Sequence, residues 1–313
     1  IHMPTHIDVL CGNYRDVVVY NQKAVAVDRK FLAREGAMNV YALYRSHDHH
    51  FVVYGAMFLG QYTPAIKAAQ ELIDTTPEEL LRIQSPPMAD FIESYLAVKQ
   101  HVLVRFGKWR EILAQELPKD QALYCGTTAM TLYAKGVAHS VLGEIEAAER
   151  MREAFRAAKA RVPESRRLHN NTMVDMLAIA EEMLTGELEY RRGNFDLAFA
   201  HLRRAVELDD ALPYDEPWGW MQPTRHALGA LLLEQGHLEE AEAVYRADLG
   251  FDGKTNRACW HPENVWSLHG LHECLVRRGE KIEAPLIKAR LDLALARAEV
   301  PIRASCLCRR EAA

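Results

Sequence analysis

The sequence predicts an all-α fold built from consecutive helical hairpins, and three observations carry that expectation. A short phrase of glycine, one residue and then an aromatic or aliphatic residue recurs along the chain. It reads Gly12-Asn13-Tyr14, Gly60-Gln61-Tyr62, Gly107-Lys108-Trp109, Gly143-Glu144-Ile145, Gly193-Asn194-Phe195, Gly236-His237-Leu238 and, less closely, Gly279-Glu280-Lys281. Apolar residues beside the phrase recur at helical spacing, as at 195, 198, 199, 202, 205 and 206. No run of alternating β-branched residues is present, and 17 Gly with 13 Pro in 313 residues are too few for a loop-rich all-β protein.

Taken in chain order, each glycine ends one apolar-periodic segment and precedes the next, as a residue in the left-handed conformation does between two antiparallel helices. A small residue follows five places later at Ala65, Ala148, Ala198, Ala241 and Ala284, where a second helix must lie close to the first. The glycines are 48, 47, 36, 50, 43 and 43 residues apart. These unequal spacings imply inserts at Thr75–Ala89, Leu117–Cys125, Val162–Thr172, Asp210–Gln222 and Gly250–Glu263, most of them proline-bearing or polar. The expectation is one domain over residues 1–313 with about seven hairpins.

The best-formed repeats are Leu177–Asp210, with Gly186, Gly193, Phe195, Ala198 and Ala205, and Pro223–Leu249, with Leu228-Gly229, Gly236, Ala241 and Tyr245. Their pattern resembles the tetratricopeptide repeat, whose unit is about 34 residues. The resemblance implies a right-handed superhelix in which every hairpin buries its face on its neighbours.

It also implies a concave surface lined by the first helix of each hairpin, at positions thirteen, ten, six, three and two before the turn glycine. Histidines collect there. His2 and His6 precede Gly12 by ten and six; His47 and His50 precede Gly60 by thirteen and ten; His101, His226 and His269 fall at the same offsets. Seven of the 14 histidines thus lie on the inner face, where chance over a ~34-residue unit gives about two. His2 with His6 and His47 with His50 are pairs at helical spacing on adjacent first helices, so four imidazoles converge from two neighbouring hairpins. Neutral imidazole suits a divalent transition metal such as zinc, iron or copper. Asp48 is an acceptor for an imidazole N–H, and His49 points elsewhere. Three ligands with an open position would favour catalysis and four would favour a structural role; a hydrogen-bonded histidine cluster without metal is the plainer alternative.

A second, narrower resemblance rests on longer phrases: His2-Met3-Pro4-Thr5-His6-Ile7, Tyr44-Arg45-Ser46-His47-Asp48-His49-His50-Phe51, Trp220 with Pro223, Arg225 and Leu228-Gly229-Ala230, and Pro262-Glu263-Asn264 with Ser267-Leu268-His269-Gly270-Leu271. These are similar to phrases in a group of bacterial tetratricopeptide proteins. Members of that group carry a further histidine-containing region upstream, which the resemblance places before residue 1. The group brings no reaction with it.

The remaining inner-face positions, Tyr133, Glu187, Tyr190, Arg191, Trp266, Glu273 and Arg277, together with Arg225, His226, His101 and His269, form a polar and aromatic surface suited to a small polar ligand or an extended peptide. Glu187–Arg191 and Glu273–Arg277 are equally i,i+4 ion pairs on a solvated face. Trp218-Gly219-Trp220, between Pro217 and Pro223, is expected to cover this groove as a lid.

With 38 Lys+Arg against 43 Asp+Glu the net charge is −5, which argues against nucleic acid. No apolar run is long enough to span a membrane. The six cysteines form no CxxC pair, so reduced thiols and a cytoplasmic setting are expected, with Cys306 and Cys308 free in a polar tail. Phosphate-loop, dinucleotide, nucleophile-elbow and HExxH signatures are all missing. The expected function is a metal-binding helical-repeat protein, either a metal-dependent enzyme acting on a small polar molecule or a scaffold for a peptide.

Overall fold

A computed structural model describes residues 1–309. The order is α1 (Thr5–Cys11), α2 (Tyr14–Glu35), α3 (Ala42–Leu59), α4 (Tyr62–Asp74), α5 (Glu78–Leu81), α6 (Met88–Ile92), α7 (Val98–Arg105), α8 (Trp109–Ala114), α9 (Cys125–Leu142) and α10 (Ile145–Lys159). A minimal hairpin, β1 (Arg167–Leu168) against antiparallel β2 (Asn171–Thr172), precedes α11 (Met173–Arg191) and α12 (Phe195–Asp210). Then come α13 (Thr224–Glu234), α14 (Leu238–Asp248), α15 (Val265–Arg277) and α16 (Glu283–Leu295). The fold is all-α, with neighbouring helices packed on one another.

The seven turn glycines all have φ between +61° and +83°. At Gly12 and Gly60 the next residue's N–H reaches back five residues, Asn13 to the Asp8 carbonyl at 2.8 Å and Gln61 to the Ala56 carbonyl at 2.9 Å. That bond closes the helix end and reverses the chain within two residues, so the following helix must run back along the first. The five expected inserts lie between the longer helices, but Thr75–Ala89 contains α5 and the start of α6, and Val162–Thr172 contains the β1–β2 hairpin.

The ends of the hairpin array meet. Trp266 of α15 donates its indole N–H to the Met57 carbonyl in α3 at 2.7 Å. The Glu299 and Val300 N–H groups reach the Gly60 carbonyl at 3.0 and 3.2 Å. Gly12 approaches the 250–264 segment so closely that a Cβ there would lie 2.3 Å from the Pro262 carbonyl oxygen.

The surface expected to line an open groove is covered by the chain itself, which corrects that expectation. Two segments of the chain occupy that surface. One is the 211–223 loop, whose Trp218 and Trp220 are buried; Trp220 packs edge-on against His101 and Tyr133, so the loop is a plug and not a lid. The other is the tail after α16. Ser305 bonds the His226 carbonyl at 2.7 Å and the Tyr245 hydroxyl at 2.6 Å. The tail packs inward, Cys308 is buried, and Cys306 and Cys308 are joined as a disulfide where free exposed thiols were expected. No helix among the described residues is long and apolar enough to cross a membrane.

Candidate metal centre

The first hairpin carries two of the histidines. The Thr5 N–H and hydroxyl both bond the His2 carbonyl, at 2.8 and 2.6 Å, so residues 2–5 form a turn leading straight into α1. That turn sets His2 and His6 one above the other, with their Nε2 atoms 3.0 Å apart. His47, near the start of α3, brings its ring centroid to 4.8 Å from His2 and 5.5 Å from His6. One ligand atom from each of the three lies within 4.8 Å of the other two. Phe51, one turn beyond His47, contacts all three rings at 4.7, 4.7 and 4.8 Å and forms an apolar wall behind them.

Their outer nitrogens are held by acceptors. His2 Nδ1 lies 2.7 Å from Asn21 Oδ1 and 2.9 Å from Asp48 Oδ1. Asn21 has no freedom to present its other amide atom, because its Nδ2 donates to Thr5 Oγ1 at 3.0 Å and to the Val17 carbonyl at 2.8 Å. His6 Nδ1 lies 2.5 Å from Glu216 Oε2 in the distant 211–223 loop, and Tyr214 donates to the other oxygen of that carboxylate. Both Nδ1 atoms thus face acceptors, and each Nε2 is left turned toward the other.

Electrostatics fall into two parts. Burial disfavours a charge on His2, but its bonds to Asp48 and Asn21 outweigh that and raise its pKa. Burial, with His169, His2, His50 and His6 nearby, drives His47 far below the ordinary imidazole range, so it is neutral. Behind Asp48 stands Asp28, whose carboxyl is pushed up to about 6 by burial and by Asp48, against the lowering effect of a 2.8 Å bond from the Tyr41 hydroxyl.

His50 does not join the other three. Its Nε2 faces Met221 Sδ at 2.9 Å, and its ring packs against Tyr95 in the apolar interior. His49 bonds the Arg45 carbonyl at 2.8 Å. In its place the fold brings up His169, from the turn between β1 and β2, with a left-handed φ of 48°. Its ring lies 4.6 Å from that of His47, and its Nε2 meets the Tyr95 hydroxyl.

The other expected ligand-binding residues are engaged within the protein. Arg225 forms a two-pronged pair with Asp210 at 2.6 Å for both bonds. His226 sits between Arg105 and the buried Asp248, at 2.8 and 3.0 Å. Arg191 holds Glu187 at 2.8 Å and reaches the Cys308 carbonyl, and Tyr190 donates to Glu234 at 2.5 Å. Tyr133 and Trp266 are buried core, His101 is buried against Trp220, and His269 is largely covered on α15. The chain's own tail takes the place in the groove that an extended peptide was expected to take.

Sequence reading passed over Glu216, Asn21 and His169. Glu216 and His169 sit on inserts without periodicity, and Asn21 lies on a second helix outside the groove offsets. In comparisons with known proteins, the chain matches no protein-family model and no curated protein.

Proposed function

We propose that this chain is a metal-binding, tetratricopeptide-like superhelical protein whose first two hairpins hold one divalent transition metal through His2, His6 and His47. The observation carrying this reading is the pair of Nε2 atoms 3.0 Å apart with both Nδ1 atoms facing acceptors. Two lone pairs at that distance repel unless a cation or a proton lies between them. A metal 2.0–2.1 Å from each nitrogen in tetrahedral geometry separates them by about 3.3 Å, close to the spacing present. The Asp48 and Glu216 carboxylates supply the outer bonds that fix the tautomer and orient the two rings.

Three histidines with no fourth protein ligand among the described residues match the donor set of a catalytic zinc or iron centre better than that of a closed structural one. A metal here would polarise a bound oxygen or lower the pKa of a water. Phe51 on one side excludes solvent, and access remains on the side of His47 and His169. The reading is therefore a metal-dependent enzyme.

Metal analysis of protein purified without nickel resin tests it. About one zinc, iron or copper per chain, lost in His6→Ala and in His47→Ala while the helical circular dichroism is kept, supports the reading. A wild-type protein that stays metal-free after incubation with each of these ions and removal of excess would exclude it.

A further inference from the structure

A cavity of about 360 Å³ opens beside the three histidines, with His47 in its wall. Its sides are Val40, Leu43, Tyr44 and Phe91, and apart from the Tyr44 hydroxyl its polar side-chain groups lie at the buried inner end, where His47 and the Tyr95–His169 pair stand together. Val40, Tyr44 and Phe91 are exposed at 64%, 65% and 42% and form a largely apolar rim. Nothing in hairpin packing calls for this. The residues come from three separate stretches: the start of α3 with Val40 just before it, α6 with the turn after it, and the β1–β2 turn.

We infer that this cavity binds a small aromatic molecule carrying oxygen donors at one end, with the ring between Tyr44 and Phe91 and the oxygens at His47 and His169. The inference rests on the metal reading above and deepens it by naming the class of ligand. Three physical points select that class. An apolar cavity of about 150 Å³ holds benzene, so the present volume takes a ring with substituents and lies within the usual range for ligand sites. Tyr44, Phe91 and Tyr95 offer the edges and faces that aromatic rings favour. The mouth carries no Lys or Arg among its lining residues, so an oxygen-bearing head group finds its electrophile only at the inner end. There a metal on His47 would accept an oxygen, and the Tyr95–His169 pair would exchange a hydrogen bond with a second one. A wholly polar ligand would leave the apolar walls wet, which separates this proposal from the small polar molecule expected from the sequence.

The test uses the full chain loaded with Co(II), whose visible absorption reports on coordination, and two probes with the same head group. Benzohydroxamate has the ring and acetohydroxamate lacks it. Benzohydroxamate is expected to shift the cobalt spectrum and to bind at least about tenfold more tightly, since burying a phenyl ring is worth that factor or more. Val40→Trp, at an exposed position where folding is undisturbed, is expected to block the mouth. It should abolish the ring's advantage and leave cobalt stoichiometry as it was. Tyr44→Ala should reduce the advantage several-fold. Cobalt binding with equal affinity for both probes, or an advantage unchanged in both variants, overturns the aromatic pocket alone. Failure to bind cobalt overturns the metal reading and this inference with it.

Discussion

His2 and His6 face each other through Nε2 at 3.0 Å while Asn21 and Asp48 on one side and Glu216 on the other hold their Nδ1 atoms. Without a metal, a proton is the only cation small enough to relieve that approach, and the raised pKa of His2 agrees with a proton being held there. Metal and proton then compete for one position. Metal uptake requires His2 to be neutral, and its pKa lies above the ordinary 6.5, so competition begins above that value and grows as pH falls. The apparent affinity for Zn(II) is expected to drop about tenfold per pH unit below the His2 pKa, the slope for loss of one proton. Calorimetric titration in buffers of different ionisation enthalpy would read the proton release directly; affinity independent of pH between 5.5 and 7.5 would refute the competition.

Glu216 reaches the site from a loop 210 residues away in sequence and bonds the ring of His6 at 2.5 Å. Glu216→Gln keeps the shape and an acceptor oxygen but removes the negative charge beside the His6 ring. Outer-partner changes of this kind cost 10–100-fold in metal affinity. The variant is expected to bind one metal per chain with affinity lowered by about that factor. Competition against a chromophoric chelator would measure it, and wild-type affinity would show that the carboxylate does not support a metal ligand.

The helices and their turns were legible because they depend on local signals. Glycine at the left-handed position and apolar spacing near 3.6 residues are written into each hairpin. His2, His6 and His47 were legible for the same reason, since His6 and His47 sit on first helices, and His2 in the turn that opens one, at fixed offsets from their glycines. His50 shares that face in sequence, yet three residues along a helix turn the side chain far enough to reach Met221 and Tyr95 instead. What could not be read was long-range. The 211–223 loop delivers Glu216 to His6 and Trp220 to His101, and nothing in its composition states where it goes. The tail looks like a solvated end, with Arg303, Ser305 and Arg309, yet Ser305 is buried against His226 and Arg309 pairs with Glu273 at 2.8 Å. The groove expected from repeat geometry was filled by segments whose polarity marked them as outside.

Closure of the array can be tested at two glycines with the same backbone conformation. Gly12 and Gly193 have φ of +77° and +83°, so an alanine at either costs about 1–2 kcal/mol of left-handed strain. Around Gly193 nothing lies within 4 Å of a new methyl group, whereas at Gly12 it would meet the Pro262 carbonyl oxygen at 2.3 Å. Backbone cannot yield as a flexible side chain can, and α1 must move away from the 250–264 segment. Gly12→Ala is expected to destabilise by clearly more than Gly193→Ala in urea unfolding, and to lower metal occupancy because α1 carries His6. Equal losses would show that the contact with Pro262 contributes nothing.

His101 offers a pH test that is independent of the metal. It is buried against Trp220, no group bonds its Nδ1, and burial holds its pKa down to about 3. The unfolded chain has the ordinary value of about 6.5, so below that pH the unfolded state takes up a proton that the folded state refuses. Stability carried by the neutral ring is complete above pH 6.5 and is lost progressively as pH falls toward 3. His101→Phe keeps the edge-on contact and removes the titration. At pH 7 the variant should lie within about 1 kcal/mol of the wild type, because a missing bond at Nδ1 leaves little to lose. At pH 5 it should have gained about 2 kcal/mol on the wild type, from 1.36 kcal/mol per pH unit over roughly 1.5 units. Other titrating groups are common to both proteins and cancel in the difference. A gap that stays constant from pH 7 to pH 5 would mean that the imidazole takes up its proton without leaving the interior, and the filled groove would then be more hydrated at this point than its packing implies.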